Sequence, residues 1–169
     1  PGVVREVIER GHSLGTHTWS HPLNLKRLRP DAATSEIDRG FAAVTAAAGG
    51  PIAPFFRFPG LSDSPSMVAH LAGLHVASFT VDVVSNDSFI ADPARLARET
   101  LAKVEANRGG IILFHDIKAS TAKALPVILD TLAARGYRVV HLVPKAPMAA
   151  DPALVAGYAP SVEKIVAQK

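Results

Sequence analysis

The chain has 169 residues, 48% of them hydrophobic and 20% charged, with a formal net charge of +3 and no cysteine. That length suits one domain with a substantial core, and the balance of apolar to charged residues excludes a disordered chain. The lack of cysteine excludes a disulfide framework, thiolate metal sites and cysteine nucleophiles; the small, scattered positive charge argues against nucleic acid as a partner; and no apolar run is long enough to span a bilayer.

The chain opens at Pro1-Gly2, with no methionine and no visible signal peptide, so an upstream segment is expected. Val3, Val4, Val7 and Ile8 predict a short helix that stops at Gly11. Ile37, Phe41, Val44 and Ala48 repeat at helical spacing, and Gly49-Gly50 closes that segment. Phe55 to Phe58 reads as a strand stopped by Pro59-Gly60. Met67, Val68, Leu71 and Leu74 predict a helix, followed by a strand through Val76 to Val81. Leu96, Thr100, Leu101 and Val104 form a helical face, with Asp92-Pro93 as cap and first turn. Gly110 to Phe114 is a continuous apolar run, the pattern of a strand buried on both faces. Leu125, Ile128, Leu129 and Leu132 predict a helix ending at Gly136, and Tyr137 to Val143 a last strand. Residues 144–169 are rich in Pro and Ala and read as a loose tail with one short helix near Val162.

Helices alternating with strands imply a parallel sheet, open or closed into a barrel. Polar and histidine-bearing clusters follow four of the apolar stretches: His17, Arg57 with Pro59, Asp82 to Asp87, and His115-Asp116. Chemistry at the ends of several strands favours a (β/α) barrel, whose sites gather at one rim.

His17 and His21 are four residues apart in His17-Thr18-Trp19-Ser20-His21, a spacing that lets two neutral imidazoles converge on Zn²⁺ or a first-row neighbour. Two histidines in a polar surface loop would look the same. Gly11, Gly15 and Pro22 stiffen the flanks, as a preorganised site requires. His115 lies at the mouth of the most apolar strand, where a general acid or base fits, and so does a histidine satisfied by local hydrogen bonds. Arg57 could stack among aromatics or orient a carboxylate through its planar fork. His12, His70, His75 and His141 have no clustered partners and read as structural or exposed. Asp82 and Asp87 lie in a stretch that a turn alone would explain.

In this order, the clusters resemble the polysaccharide deacetylases that share the NodB homology domain, carbohydrate esterase family four. His17-Thr18-Trp19-Ser20-His21 matches the family's second motif, His-Ser/Thr-x-x-His, in full. Arg57-Phe58-Pro59 matches the third, with Gly60 where an aromatic usually follows. Val84-Ser85-Asn86-Asp87-Ser88 keeps only the later aspartate of the fourth, with valine and serine at its other marked positions. Ile112-Leu113-Phe114-His115-Asp116 fits the fifth. The first motif, Thr-Phe-Asp-Asp-Gly, is absent and would lie N-terminal to Pro1.

The resemblance covers residues 1–143. It implies a distorted (β/α) barrel, N-terminally incomplete, followed by the 144–169 tail. It also implies a metal-dependent hydrolase that removes N-acetyl groups from a chitin-like or peptidoglycan-like saccharide. His17 and His21 would bind the divalent metal, zinc first, with cobalt, nickel or manganese as alternatives. His115 would be the general acid, Asp87 would pair with it, and Arg57 would orient the base. A backbone N–H near Gly60, beside Pro59, would meet the oxyanion. The third ligand and the catalytic base would come from upstream of Pro1. A secreted, periplasmic or cell-envelope location would suit the substrate, as would an N-terminal segment or another chain that completes the barrel. The alternatives on the same fold are an O-acetyl xylan esterase, a cyclic amide C–N hydrolase and a non-catalytic carbohydrate-binding fragment.

Overall fold

The computed structural model describes residues 2–157, which fall into two units. One contains the chain up to Phe79 together with the residues from His141 onward; the other is Thr80–Val140.

In the first unit, α1 (Gly2–Glu9) ends before Gly11, which holds φ at 80°. The helix expected around Ile37 is longer than its apolar repeat suggests: α2 runs Pro30–Ala48, with proline in its first turn and Gly49 left-handed at its end. Its buried stripe of Ala33, Ile37 and Phe41 packs with Leu25, Phe56, Phe58, Met67 and Leu71. Strand β1 (Phe55–Phe56) pairs in parallel with β2 (Ala77–Ser78), and Thr16 bridges in parallel to Phe56 on the other side. The chain at Gly15 must be glycine for this pairing, because a Cβ there would stand 2.5 Å from the Phe55 carbonyl oxygen. Helix α3 (Pro65–Gly73) starts at a Ser64 cap that accepts from Met67 N–H. The strand expected through Val81 is shorter, with ladder bonds from Ala77 N–H to Pro54 and from Phe79 N–H to Phe56.

The last expected strand forms no ladder among the described residues. Tyr137 N–H bonds back to Leu132, and Val139, Val140 and Val143 are 74%, 72% and 70% exposed. β-branched residues favour extended backbone, but a strand also needs a neighbouring edge, and none of the described segments offers one here. The stretch from Pro144 is anchored where it can be seen. Met148 and Ile52 exchange both backbone bonds, Ala150 is buried with the core, and 152–157 is helical. The helix expected near Val162 lies outside the described residues.

In the second unit, β3 (Val83–Val84) pairs in parallel with β4 (Ile112–Leu113). Helix α4 (Pro93–Asn107) begins as expected, with the Asp92 carboxylate accepting from Arg95 N–H, and buries Leu96, Thr100, Leu101 and Val104. In the expected apolar strand, Gly110 and Ile111 are exposed and 112–114 half-buried, and among the described residues β4 pairs with β3 alone. Helix α5 (Ala119–Ala134) begins six residues before the expected Leu125 and carries Pro126 inside it. Its buried face is Thr121, Ala124, Ile128 and Leu132; Leu125 and Leu129 point outward. The earlier start places Thr121 beside the chemistry described below.

Candidate active site

The His17-to-His21 loop follows the bridge at Thr16 and is held in an unusual shape. Thr18 and His21 both have positive φ, 68° and 59°, a region that non-glycine residues enter only when their surroundings hold them there. Helix α2 supplies that hold. Glu36 accepts from Trp19 N–H at its backbone carbonyl, and its carboxylate accepts from Ser20 N–H at 2.8 Å and Ser20 Oγ at 2.9 Å. The Arg39 guanidinium lies 5.0 Å from the Trp19 ring centroid. Gly40 lets the loop approach the helix: a Cβ there would stand 2.7 Å from the Thr18 carbonyl carbon.

The loop brings the rings of His17 and His21 edge to face, with centroids 4.9 Å apart. His17 Nδ1 makes a short hydrogen bond to the Arg57 backbone carbonyl. A carbonyl can only accept, so Nδ1 carries the proton and the lone pair sits on Nε2. That is how metal-binding imidazoles are usually oriented. His17 thus keeps Nε2 as a lone-pair donor, with the His21 ring beside it. Among the described residues, no group of three histidine, aspartate or glutamate side chains is placed to hold a metal ion.

Arg57 follows β1 and donates its N–H to Thr16. Its side chain is half-buried, and burial lowers its pKa from the ordinary value. Among the described residues no ion pair engages its guanidinium. Pro59 is buried, and Gly60 sits in a left-handed conformation, φ 57° and ψ 19°, inside a turn of 3₁₀ helix (Pro59–Leu61). A side chain there would meet only ordinary contact with Leu23, so the positive φ, not lack of space, favours glycine.

The second unit holds the acid–histidine pair. Asp87 is 2% exposed and receives three hydrogen bonds. His115 Nδ1 donates to Oδ1 at 2.7 Å, His115 N–H to Oδ2 at 2.6 Å, and Thr121 Oγ1 to Oδ2 at 2.7 Å. Burial pushes the carboxyl pKa up. The His115 ring, the Thr121 hydroxyl, the His115 amide and the attraction of His115 outweigh it and hold the group below its ordinary value. With Nδ1 committed to Asp87, Nε2 is the nitrogen left for another partner, on a side chain that is 37% exposed. Asp82, the other acid of this stretch, is structural: its carboxylate accepts from Ile111 N–H at 2.7 Å, against Gly110.

The family model for polysaccharide deacetylases matches residues 1–77. The chain is 30% identical over 142 residues, 84% of its length, to a peptidoglycan-N-acetylglucosamine deacetylase of Listeria monocytogenes. The chain belongs to the polysaccharide deacetylase family. A peptidoglycan deacetylase structure from Bdellovibrio bacteriovorus superposes over 90% of the chain with a TM-score of 0.76 and 33% identity. A family 4 carbohydrate esterase from Streptomyces lividans, in complex with acetate, does so over 89% with a TM-score of 0.73 and 28% identity. These likenesses show the fold as the (β/α) barrel of the polysaccharide deacetylases. The chain spans 29% of the Listeria protein, 41% of the Bdellovibrio chain and 76% of the Streptomyces chain.

Within the polysaccharide deacetylase pattern, the structure joins His17, His21, Arg57, Pro59 and Gly60 to one unit and Asp87 and His115 to the other. Sequence reasoning missed Glu36, Arg39, Gly40 and Thr121. A glycine inside the Ile37-to-Ala48 helical repeat was a legible sign of close approach at Gly40. Nothing in the spacing marks Thr121, whose role exists only through its contact with Asp87. Two histidines set aside as unclustered also have partners: His70 meets Asp38 at 2.6 Å, and His141 meets Ser13 Oγ at 2.9 Å.

Proposed function

We propose that this chain is part of a metal-dependent hydrolase that removes N-acetyl groups from a peptidoglycan-like or chitin-like saccharide. The observation that carries the reading is the buried Asp87 carboxylate fixing the half-exposed His115 through Nδ1, which leaves Nε2 for a substrate. A protonated imidazole held this way donates to a departing nitrogen. The amide C–N bond breaks, the sugar amine takes the proton, and acetate leaves with the oxygen of water.

His17 and His21 would hold the divalent metal, zinc before cobalt, nickel or manganese. When bound, such an ion polarises an acetyl carbonyl and lowers the pKa of water. The backbone N–H of Gly60, in its left-handed turn after Pro59, would meet the developing oxyanion. Arg57 would orient the carboxylate base; burial of its guanidinium without an acid among the described residues supports a partner elsewhere. Base and third ligand would come from a segment beyond this sequence or from another chain. A substrate of this class suits a secreted, periplasmic or cell-envelope protein, and among the described residues no helix is long and apolar enough to cross a membrane.

Full-length protein loaded with zinc should release acetate from N-acetylated chito-oligosaccharide, and His17→Ala should abolish both acetate release and zinc binding. Acetate release that survives in that variant would sink the reading. The lack of a third ligand among the described residues supports a second one, a protein that binds saccharide without hydrolysing it. Saccharide binding by the full-length protein, without acetate release at any metal loading, would select it.

A further inference from the structure

The two most exposed large apolar side chains among the described residues are Phe89, at 89%, and Ile117, at 85%. Each lies two residues from a member of the Asp87–His115 pair. Such exposure on a floppy loop would mean little, but both positions are tightly held. Phe89 stands between buried Asp87 and buried Ile90, in a turn closed by its own N–H to the Asn86 carbonyl at 2.9 Å. Asn86 takes φ of 63° to make that turn, and Ser85 ties it to the sheet by donating to the Leu113 carbonyl at 2.6 Å. Ile117 stands in the turn closed by Lys118 N–H to the His115 carbonyl, just before α5, whose Thr121 is bonded to Asp87. The Asp87 carboxylate is thus the common anchor of the two loops that present these side chains.

We infer that Phe89 and Ile117 form an apolar platform for a pyranose ring of the substrate chain beside His115. The inference rests on the deacetylase reading and names how that site grips its substrate. A gluco-configured pyranose carries its substituents equatorially, so each ring face presents axial C–H groups of partial positive charge. The face of a phenyl ring is the negative end of its quadrupole and is the matching surface. Exposed polar groups alternate with the two apolar ones: Asn86 and Ser88 beside Phe89, Asp116 beside Ile117. That mixture fits a molecule with apolar faces and a hydroxyl rim. A protein partner is the poorer fit, since a stable interface covers about 800 Å² per side, far more than two side chains offer. Ser88 Oγ lies 3.3 Å from His115 Nδ1, so the loop that carries Phe89 runs beside the His115 ring.

The test uses full-length protein, wild type and Phe89→Ala, with N-acetylated chito-oligosaccharide as the probe. Binding is read by calorimetry on metal-free protein, and turnover on metal-loaded protein. Phe89→Ala should weaken binding and raise KM about tenfold, the order of one aromatic contact, while kcat changes less than twofold. Phe89→Trp should recover the affinity. An unchanged affinity and KM in Phe89→Ala would overturn the platform, and so would a wild type that binds no oligosaccharide. Acetate release by a variant with unchanged KM would leave the deacetylase reading intact. Binding that depends on Phe89 without acetate release would keep the platform and remove the deacetylase reading instead.

Discussion

Replacing Thr121 by valine removes one donor from the Asp87 carboxylate while keeping the shape of the side chain. The hydroxyl lies 2.7 Å from Oδ2, and both residues are buried, at 5% and 2% exposure, so water does not readily replace it. Hydrogen bonds to charged groups are worth about 1.5–3 kcal/mol, and that is the loss expected at neutral pH. Asp87 keeps its two bonds from His115, so the carboxylate weakens without being orphaned. The sign of the pH dependence follows from the lowered Asp87 pKa. A group held below its unfolded value, about 3.9 for aspartate, contributes stability that is full above that value and is lost as pH falls through the folded value. Valine moves the folded value upward. The deficit of the variant should therefore be full near neutrality and shrink below about pH 4. Denaturant unfolding at a series of pH values measures this, with Thr121→Ser as the variant that restores the donor. A deficit of equal size at pH 3 and pH 7, or none at pH 7, would refute the assigned role of Thr121.

Gly40→Ala gains helix propensity worth about 1 kcal/mol but drives a methyl to 2.7 Å from the Thr18 carbonyl carbon, so the His17-to-His21 loop must shift. On the proposed reading, calorimetry should show zinc affinity falling about 10–100-fold, and unchanged affinity would remove α2 from the support of the site. Asp92→Ala deletes the cap of α4 and should lower stability by about 1 kcal/mol, read from the denaturant midpoint. Asp38→Asn breaks the His70 pair, but both side chains are about a third exposed, so its cost should stay within about 1 kcal/mol in the same assay.

The motif residues were legible in the sequence because each stands next to punctuation that backbone geometry demands. Pro59-Gly60 marks the end of a strand and Asp92-Pro93 a helix start, and both hold in the structure; the close approach at Gly15 and the left-handed turn at Gly60 emerge only there. Boundaries were less legible where tertiary contacts override local pattern. The apolar repeat placed the start of α5 at Leu125, yet burial of Ala124 and the bond from Thr121 to Asp87 accompany a helix that starts at Ala119. Of the four residues in the apolar repeat of α5, Ile128 and Leu132 are buried, whereas Leu125 and Leu129 are exposed and Thr121 and Ala124 complete the packed face. The support of the histidine loop was illegible for another reason. Glu36 and Arg39 are ordinary polar helix residues until the fold brings Trp19 and Ser20 against them.

The bare valines at 139, 140 and 143 bear on how the chain behaves in solution. Extended backbone with β-branched side chains and no ladder is an adhesive edge, able to template pairing with any other chain that presents one. The sequence carries its own countermeasures close by: Arg138 interrupts the apolar run at one end, and Pro144 and Pro147, which cannot donate to a ladder, close it at the other. If this stretch does template association, Val140→Lys should lower the self-association of the purified protein measured by light scattering.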